Sequence, residues 1–421
     1  MPASLHNDIR RLLESVEKEM IDYTRGLIAI NTVNPPGNNY LQCAEYIAKI
    51  MDKLGLNPKV IEVPKDRLQE LAPHGEGLPR YSVLGELKGA EGGPVLHYSG
   101  HYDVVPAGVG WTVDPFTAEV RDDKIFGLGS GDQKAGIASM LAAAQVVQKL
   151  GVDLKGSVTF SFTPDEETGG QAGVGYLVNQ GLVKAKWAVI SEPSMPHLLK
   201  IGHRGALWLL LTTHGRTAHG SMAFKGINAF EKMAKITVAL KELERKIQYR
   251  TTAYPTEFEE ERHPMFMLGG VIKGGVNKTN VVPDECTISI DRRVLPEENL
   301  RDALDEIVDT LDELKARDPE LSYSIKKQLE VEGIAISQDE QIAVSLADCH
   351  QLVFGQRPRM IISPGYNDLR YFVSAGIPTV TYGPGILARA HTPDEYVDIR
   401  DLRNTTAVFA ELICELLGCW G

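Results

Sequence analysis

The sequence has few cysteines, and they are not spaced for cross-linking. Five occur in 421 residues, at positions 43, 286, 349, 414 and 419, with no Cys-X-X-Cys pair. An odd, scattered set of this kind favours a reducing compartment over a disulfide framework. We therefore predict a cytoplasmic location.

Long apolar runs are also absent. No segment approaches the roughly 18 consecutive apolar residues that a membrane-spanning helix needs. Residues 1–20 are charged and carry apolar side chains at helical spacing, without the apolar core of a signal peptide. These absences predict that the protein has no membrane partner.

An excess of positive charge is missing as well. The formal net charge is −12, which argues against nucleic acid or an anionic membrane surface as a partner. A small acidic substrate stays compatible, because local cationic groups can override the overall sign. The apolar content of 43% is ordinary for a globular protein, and the length suggests about two or three domains.

The first part of the chain, to about residue 200, alternates helices with strands. This rhythm predicts an α/β domain with a central, mostly parallel sheet covered on both faces. It resumes after residue 331, so we assign 1–200 and 332–421 to one catalytic domain. The predicted helices are 8–30, 39–55, 134–150, 338–354 and 368–375, and the predicted strands are 57–63, 80–88, 94–99, 156–162, 358–362 and 378–382.

Residues 201–331 follow a different order, βαββαβ, which is typical of a small ferredoxin-like domain. Its predicted strands are 206–213, 265–273, 285–294 and 321–331, with helices at 227–248 and 298–316. We predict that this domain is inserted into the first. The polar segment 246–262 is predicted to form an extended lid loop.

Chemistry-bearing residues cluster where predicted strands end. His101 and Asp103 follow the apolar run 94–99, and residues two apart on an extended backbone share a face, so the carboxylate can orient the imidazole. Four more segments combine acids or histidine with glycine or proline. They are Gly129–Gly136 with Asp132, Thr163–Gly170 with Glu166 and Glu167, Ser191–Pro193 with Glu192, and Ala390–Glu395 with His391.

Each segment alone has an ordinary explanation, such as a helix cap or a solvated turn. All five at strand ends, where α/β sheets bind ligands, are hard to explain as coincidence. In their order, the segments resemble the M20 metallopeptidases and deacylases, which include acetylornithine deacetylase, succinyl-diaminopimelate desuccinylase, aminoacylase and glutamate carboxypeptidase. The resemblance covers about residues 90 to 398, and it fits the inserted domain.

The resemblance implies a two-metal site. His101, Asp132 and Glu192 would hold one ion, and Asp132, Glu167 and His391 the second, with Asp132 as the bridge. Asp103 would orient His101, and Glu166 would be the general base for a metal-bridging hydroxide. The family also tends to have a cis peptide after the bridging aspartate, which implies a cis Asp132–Gln133 bond.

The chemistry of these side chains agrees with that assignment. Two divalent cations, three carboxylates and one hydroxide sum to zero charge, which a buried site tolerates. Ligands of imidazole and carboxylate without sulfur suit zinc, cobalt or manganese, and we expect zinc first.

The inserted domain carries further matches to the family. His219, in a Gly-X-X-Ala-His segment, would stabilise the oxyanion, often from the partner subunit, which implies a homodimer through this domain. Asn280 and Arg293 match segments that contact substrate, and Arg293 suits a substrate carboxylate. Arg204 is a second candidate for that role. Arg292 points to the opposite sheet face from Arg293, so we expect one of the two to be an ordinary exposed arginine.

Two segments depart from the family pattern. Tyr366 and Asn367 put bulk where small hydroxyl residues are usual, which leaves the acyl preference open. Gly383 lies near the expected substrate pocket, where its backbone amide could bind a carboxylate, although a plain turn explains it equally well.

The sequence thus predicts a two-metal hydrolase acting on the amide bond of a small N-acyl amino acid or dipeptide-like substrate. A close alternative is hydrolysis of another C–N bond, such as that of an aryl amine, with release of ammonia. A non-catalytic metal- or ligand-binding protein on the same scaffold would be expected to have lost a ligand or Glu166. A phosphoester hydrolase would need several cations near the metals, and the motif loops offer only Lys134.

Overall fold

The computed structural model describes residues 3–194, 197–275 and 278–418. The chain divides into two compact units. One unit comprises Met1–Ile201, Ile336–Met360 and Asn367–Gly421, and the other comprises Gly202–Ala335 and Ile361–Tyr366. The second unit therefore extends beyond the predicted insertion at 201–331, and it includes a short return segment that the sequence did not indicate. The catalytic and lid roles assigned to the two parts stay predictions.

Ten α-helices and sixteen strands are present in the described residues. The helices are α1 Ala3–Ile28, α2 Tyr40–Lys53, α3 Leu68–Leu71, α4 Ala135–Leu150, α5 Tyr176–Asn179, α6 Ala229–Ile247, α7 Leu300–Arg317, α8 Gln341–Phe354, α9 Leu369–Ser374 and α10 Ile399–Leu417. The strands are β1 Lys59–Glu62, β2 Tyr81–Leu87, β3 Val95–His101, β4 Glu119–Arg121, β5 Lys124–Phe126, β6 Ser157–Thr163, β7 Trp187–Ile190, β8 Leu198–His203, β9 Gly205–His214, β10 Met265–Gly274, β11 Glu285–Val294, β12 Ser322–Val331, β13 Ile334–Ala335, β14 Arg359–Ser363, β15 Thr379–Thr381 and β16 Tyr396–Asp398.

The large sheet has the order β1-β2-β6-β3-β7-β15-β8-β13, with β14 also paired to β8. Its four central strands, β6, β3, β7 and β15, are parallel, whereas β1, β2 and β8 join antiparallel. The predicted α/β class with mostly parallel central strands is therefore confirmed. Strand β3 is buried along nearly its whole length, as expected for a strand covered on both faces.

Helix α4 explains how the first unit is held together. It is rich in alanine and buried on nearly all sides, and it packs against α1 and α10. Small side chains allow this close approach of three helices. Because α4 begins three residues after Asp132, directly after the turn at 130–134, its packing also fixes where that turn lies.

The second unit contains the βαββαβ order that the sequence predicts. Its four strands form an antiparallel sheet in the order β10-β11-β9-β12. One face of β9 carries Leu207, Leu209 and Leu211, which are buried in a cluster with residues of α6 and α7. The alternation along β9 therefore selects the face that the helices cover.

Several elements were not predicted. Strands β4, β5 and β16 form a separate small sheet. Each strand has three residues, which is too short to give a periodic signal in the sequence. Helix α10 has an amphipathic pattern that could have been recognised, because its apolar residues recur at helical spacing. The predicted lid loop begins inside α6, and Arg250 and Thr252 tie it to its own unit through Glu298 and Glu297, at 2.8 and 2.9 Å.

In the described part of the chain, no helix is both long and apolar enough to cross a bilayer. Cys43, Cys286, Cys349 and Cys414 are buried and form no disulfide there, and Cys419 lies outside the described residues. The cytoplasmic location stays a prediction.

Candidate metal centre

The candidate site lies where the central parallel strands end. His101 is the last residue of β3, and the neighbouring strands β6 and β7 end at Thr163 and Ile190. Because parallel strands end at the same edge of a sheet, the loops that follow meet there. Glu166 and Glu167 follow β6, and Glu192 follows β7.

Asp132 lies between two histidines that are distant in the sequence. Its Oδ1 is 3.3 Å from His101 Nε2, and its Oδ2 is 3.3 Å from His391 Nε2. Each oxygen of one carboxylate therefore faces a different imidazole. The peptide bond after it, Asp132–Gln133, is cis, as the family resemblance implies.

The other acidic residues complete two groups around Asp132. His391 Nε2 is 3.1 Å from Glu167 Oε1, and His101 Nε2 is 3.6 Å from Glu192 Oε1. Potential ligand atoms of His101, Asp132 and Glu167 all lie within 4.8 Å of one another. Glu192 also accepts a hydrogen bond from Gln133 Nε2 at 2.7 Å, which orients its carboxylate.

The residues fit a metal by two structural criteria. His101 Nε2 and Asp132 Oδ1 are buried, and neither makes a hydrogen bond to another described group. Two ligand atoms at about 2.05 Å from a tetrahedral zinc ion lie about 3.3 Å apart, which matches the separations from Asp132 to each histidine. A cation would therefore satisfy atoms that the protein leaves without partners.

The electrostatics of the cluster also favour cations. Burial, followed by the charge of Asp132, raises the pKa of Glu192 well above its usual range. Burial raises the pKa of Glu167 in the same way, although a hydrogen bond from His391 opposes the shift. Buried carboxylates this close repel one another unless positive charge lies between them.

Asp103 has more partners than its predicted role implies. His101 Nδ1 lies 3.0 Å from the Asp103 main-chain carbonyl oxygen and 3.4 Å from its Oδ1. The carboxylate accepts the backbone N–H groups of Glu166 and Glu167, at 3.2 and 3.3 Å. Asp103 thus contacts both the histidine and the turn that carries the two glutamates.

A buried network extends from Asp103 to the N-terminal part of the chain. Asn34 Nδ2 donates to Asp103 Oδ2 at 3.0 Å and to Asp165 Oδ1 at 3.1 Å. Asp165 also pairs with Arg80 Nε at 2.6 Å, and both side chains are 1% exposed. Asp165 has a left-handed backbone, with φ 68°, so these contacts stabilise a turn that its own conformation disfavours.

Glu166 is buried and interacts with several negative charges. Burial, and then the charges of Glu192 and Asp368, raise the pKa of its carboxyl group well above the usual range, while His101 opposes them. Asp368 is buried and has an Oδ1 atom without a hydrogen-bond partner among the described groups. A carboxyl group in such surroundings is suited to accept and return a proton.

Lys134 and the Gly383 amide, both considered as ligand-binding groups, make hydrogen bonds within the protein instead. Lys134 is buried, and its Nζ donates to the Ile30 carbonyl oxygen at 2.9 Å, so it supplies no open cation for a phosphoester. The Gly383 N–H donates to Ser194 Oγ at 3.1 Å, which occupies the amide considered for a substrate carboxylate.

The remaining predicted residues belong to the second unit. His219 and Asn280 are exposed and adjacent, because the Asn280 carbonyl oxygen accepts the Gly220 N–H at 2.7 Å. Arg293 pairs with Asp291 at 2.9 Å and lies over the Trp208 ring, at 5.9 Å. The Trp208 ring also contacts Tyr366, with ring centroids 6.3 Å apart.

Arg204 is buried beside this group. It donates to the His263 carbonyl oxygen at 2.9 Å, and its Nε has no hydrogen-bond partner among the described groups. The expectation that one of the two neighbouring arginines is an ordinary exposed residue was wrong, because Arg293 is half-buried and Arg292 is 0% exposed. It pairs with Glu298 and Glu306, at 3.2 and 2.7 Å, on the helix-covered side of the sheet.

Sequence reasoning missed the residues that support the site. Asn34 precedes the run Pro35-Pro36-Gly37, and Asp165 stands directly before the two glutamates, so both had a local signal. Arg80 had no local signal in the sequence, because an arginine before a strand is common and does not indicate a functional site. Glu395 closes the segment that contains His391, and it had a local signal only through that histidine.

Comparison with known proteins identifies the family. The model of peptidase family M20/M25/M40 matches residues 97–415, which is most of the chain. The chain belongs to this M20 family. It is therefore a metallohydrolase that acts on amide or peptide bonds.

Alignments with individual M20 relatives span most of this chain and most of the relative. An acetylornithine deacetylase from Photorhabdus laumondii is 28% identical over 82% of this chain and 85% of its own. An N-formyl-4-amino-5-aminomethyl-2-methylpyrimidine deformylase from Bacillus subtilis is 27% identical over 96% of both chains. The crystal structure of aminopeptidase PepT from Bacillus cereus superposes with a TM-score of 0.75 at 20% identity, over 95% of this chain and 98% of its own, and supports the fold.

Proposed function

We propose that the chain is a two-metal hydrolase that cleaves the amide bond of a small N-acyl amino acid or dipeptide-like substrate. The observation that carries the proposal is the position of Asp132, which turns one oxygen toward His101 and the other toward His391, at 3.3 Å each. This arrangement is what a bridging carboxylate requires.

The ligands are assigned to two ions. His101, Asp132 and Glu192 would hold one, and Asp132, Glu167 and His391 the other. Zinc is the first candidate, with cobalt or manganese as alternatives, because the donors are nitrogen and oxygen without sulfur. Bound there, the cations would lower the pKa of a water molecule and polarise the substrate carbonyl group.

The protein's own groups would manage the proton. Glu166 would accept a proton from the attacking water and return it to the leaving nitrogen, since its raised pKa suits both steps. Asp103 would fix the acidic turn through its two backbone hydrogen bonds. His219 would stabilise the negative oxygen that develops on the substrate carbonyl.

The second unit would recognise the substrate. Arg204, Arg293 and Asp291 carry a net charge of one positive unit, which would be neutralised by one substrate carboxylate. The unpartnered Nε of Arg204 supports this assignment, since a buried donor without an acceptor is costly. Asn280 and Tyr366 are further candidates for substrate contact.

A second candidate substrate carries an aromatic ring. The contact between Trp208 and Tyr366 forms an aromatic surface beside Arg293, on which a planar ring can stack. The deformylase from Bacillus subtilis, whose named substrate is a pyrimidine, matches 96% of both chains. An N-acyl or amino group on a heteroaromatic compound is therefore the alternative.

We also propose a homodimer through the second unit. Strand β10 lies at the edge of its sheet and exposes Met265, Met267, Val271 and Ile272. Exposed edge strands with apolar side chains pair readily with another strand, and a second copy of the chain can supply one.

A substrate screen tests the proposal. Metal-reconstituted protein is assayed on N-acetyl and N-succinyl amino acids, dipeptides, N-formylated heteroaromatic amines and aryl amines. We expect hydrolysis of one amide class, lost with a chelator, restored by Zn²⁺ and absent from Asp132→Asn. Turnover that persists in chelator, or tight ligand binding without hydrolysis of any compound, would contradict the proposal.

A further inference from the structure

Glu395 is a buried carboxylate whose partners are backbone N–H groups. It is 1% exposed, and its Oε1 accepts from Gly131 at 2.7 Å and from Asp132 at 3.0 Å. Its Oε2 accepts from Gly129 at 3.1 Å. The three N–H groups form a concave cradle of positive dipoles, which suits one negative charge.

The pairing of β16 with β5 places Glu395 beside the turn that it contacts. Tyr396 begins β16 and lies opposite Phe126 of β5. The register places Glu395 beside Gly127, whose N–H donates to the Glu395 carbonyl oxygen at 2.9 Å. Both the main chain and the side chain of Glu395 therefore hold the turn that leads to Asp132.

The same segment carries His391. His391 lies four residues before Glu395, and its Nε2 is 3.3 Å from Asp132 Oδ2. Its own backbone is left-handed, with φ 60°, a conformation that a residue other than glycine keeps only where the surrounding structure holds it. Glu395 therefore links the segment that carries His391 to the turn that carries Asp132.

We infer that Glu395 is a positioning residue that fixes the separation of Asp132 and His391, and thereby sets the affinity of the cation site that those two share. The inference rests on the proposed metal centre. Glu395 itself does not contact the cation or the substrate in this assignment; it acts through the backbone of the turn.

Glu395→Gln tests the inference in the full-length chain. The variant keeps the size of the side chain but places an amide N–H₂ against backbone N–H donors. We expect Zn²⁺ affinity, measured by competition with a chromophoric chelator, to fall by about 10- to 100-fold, as for other residues that orient ligands. Asp394→Asn is the matched control, because Asp394 accepts from Thr112 at 2.8 Å instead and should keep the original affinity.

A double-mutant cycle separates positioning from general stability. In a His391→Ala background, Glu395→Gln should lower Zn²⁺ affinity by much less than it does alone, since the distance it controls no longer matters. A purely structural role would give equal effects in both backgrounds and would overturn the inference. If Glu395→Gln does not fold, the same cycle with Glu395→Asp tests the positioning role. Aspartate keeps the negative charge, but its side chain is shorter by one methylene group and so holds the backbone N–H groups less closely.

The result also distinguishes this inference from the proposed function. Unchanged Zn²⁺ affinity in Glu395→Gln, with a loss in His391→Ala, would remove the positioning role and leave the metal centre intact. Unchanged affinity in both His391→Ala and Asp132→Asn would remove the metal centre and the inference together.

Discussion

Asn34 donates its side-chain amide to Asp103 Oδ2 at 3.0 Å, and so connects the N-terminal part of the chain to the carboxylate beside His101. The same amide reaches Asp165, which pairs with Arg80. The turn that carries Glu166 and Glu167 is thus stabilised by residues far from it in the sequence.

Asn34→Asp should damage both stability and turnover. The change removes the donor and adds a negative charge beside two buried carboxylates, so we expect a loss of roughly 3 kcal/mol in the free energy of unfolding. Turnover should fall because the glutamate turn loses its support. Denaturant unfolding and steady-state kinetics measure the two effects.

Asn31→Asp is the control for that experiment. Asn31 is exposed, and its Oδ1 accepts the Val33 N–H at 3.1 Å, a role that aspartate keeps. Its stability and turnover should match the unmodified chain. Equal behaviour of the two variants would show that the buried network has no special importance.

Glu166→Gln should abolish most turnover and leave metal content unchanged. General acid–base groups typically contribute about 10²–10⁴-fold to a rate, and glutamine cannot carry the proton. Turnover is measured on the substrate found in the screen, and metal content by elemental analysis. Glu91→Gln, on an exposed residue, is the control. Retention of the original turnover in Glu166→Gln would assign the base elsewhere.

His97 should make the protein less stable in mild acid. Burial lowers the pKa of His97 to about 3, whereas an unfolded histidine titrates near about 6.5. As pH falls below that value, the unfolded state binds a proton that the folded state excludes. The contribution of the neutral His97 side chain to the free energy of unfolding is therefore complete above pH ~6.5. It declines as pH falls, by about 2 kcal/mol at pH ~5.

The variant His97→Gln removes this titration. Its free energy of unfolding should therefore fall less between pH 7 and pH 5 than that of the unmodified chain, by about 2 kcal/mol at equal metal content. Denaturant titrations at the two pH values provide the measurement. His74→Gln, on an exposed histidine, should keep the original pH dependence. The same pH dependence in His97→Gln would contradict the prediction.

His219 is predicted to act across a dimer. Mixing His219→Ala chains with Glu166→Ala chains should then restore activity, because one site of each heterodimer contains both intact residues. With random exchange, about a quarter of all sites become intact. Each variant alone gives the baseline, and a mixture that stays at the baseline would place His219 within its own subunit or outside the reaction.

The α/β class and the βαββαβ order could be predicted because long apolar strands and amphipathic helices give strong periodic signals. His101 and Asp103 stood out for a local reason, the two-residue spacing after a buried strand. Glu395 and Arg80 could not be recognised in this way. Their roles depend on partners that are distant in the sequence, and a carboxylate bound only by backbone N–H groups has no side-chain pattern to reveal it.

The position of β15 has a consequence for synthesis of the chain. This strand, Thr379–Thr381, lies between β7 and β8, both of which are made much earlier. During synthesis, the edge of β7 that pairs with β15 therefore stays unpaired until the entire second unit has emerged from the ribosome. The second unit is nearly continuous in sequence, so it can fold in that interval. Nascent chains that stall before residue 379 would expose that edge, and such unpaired strands promote aggregation.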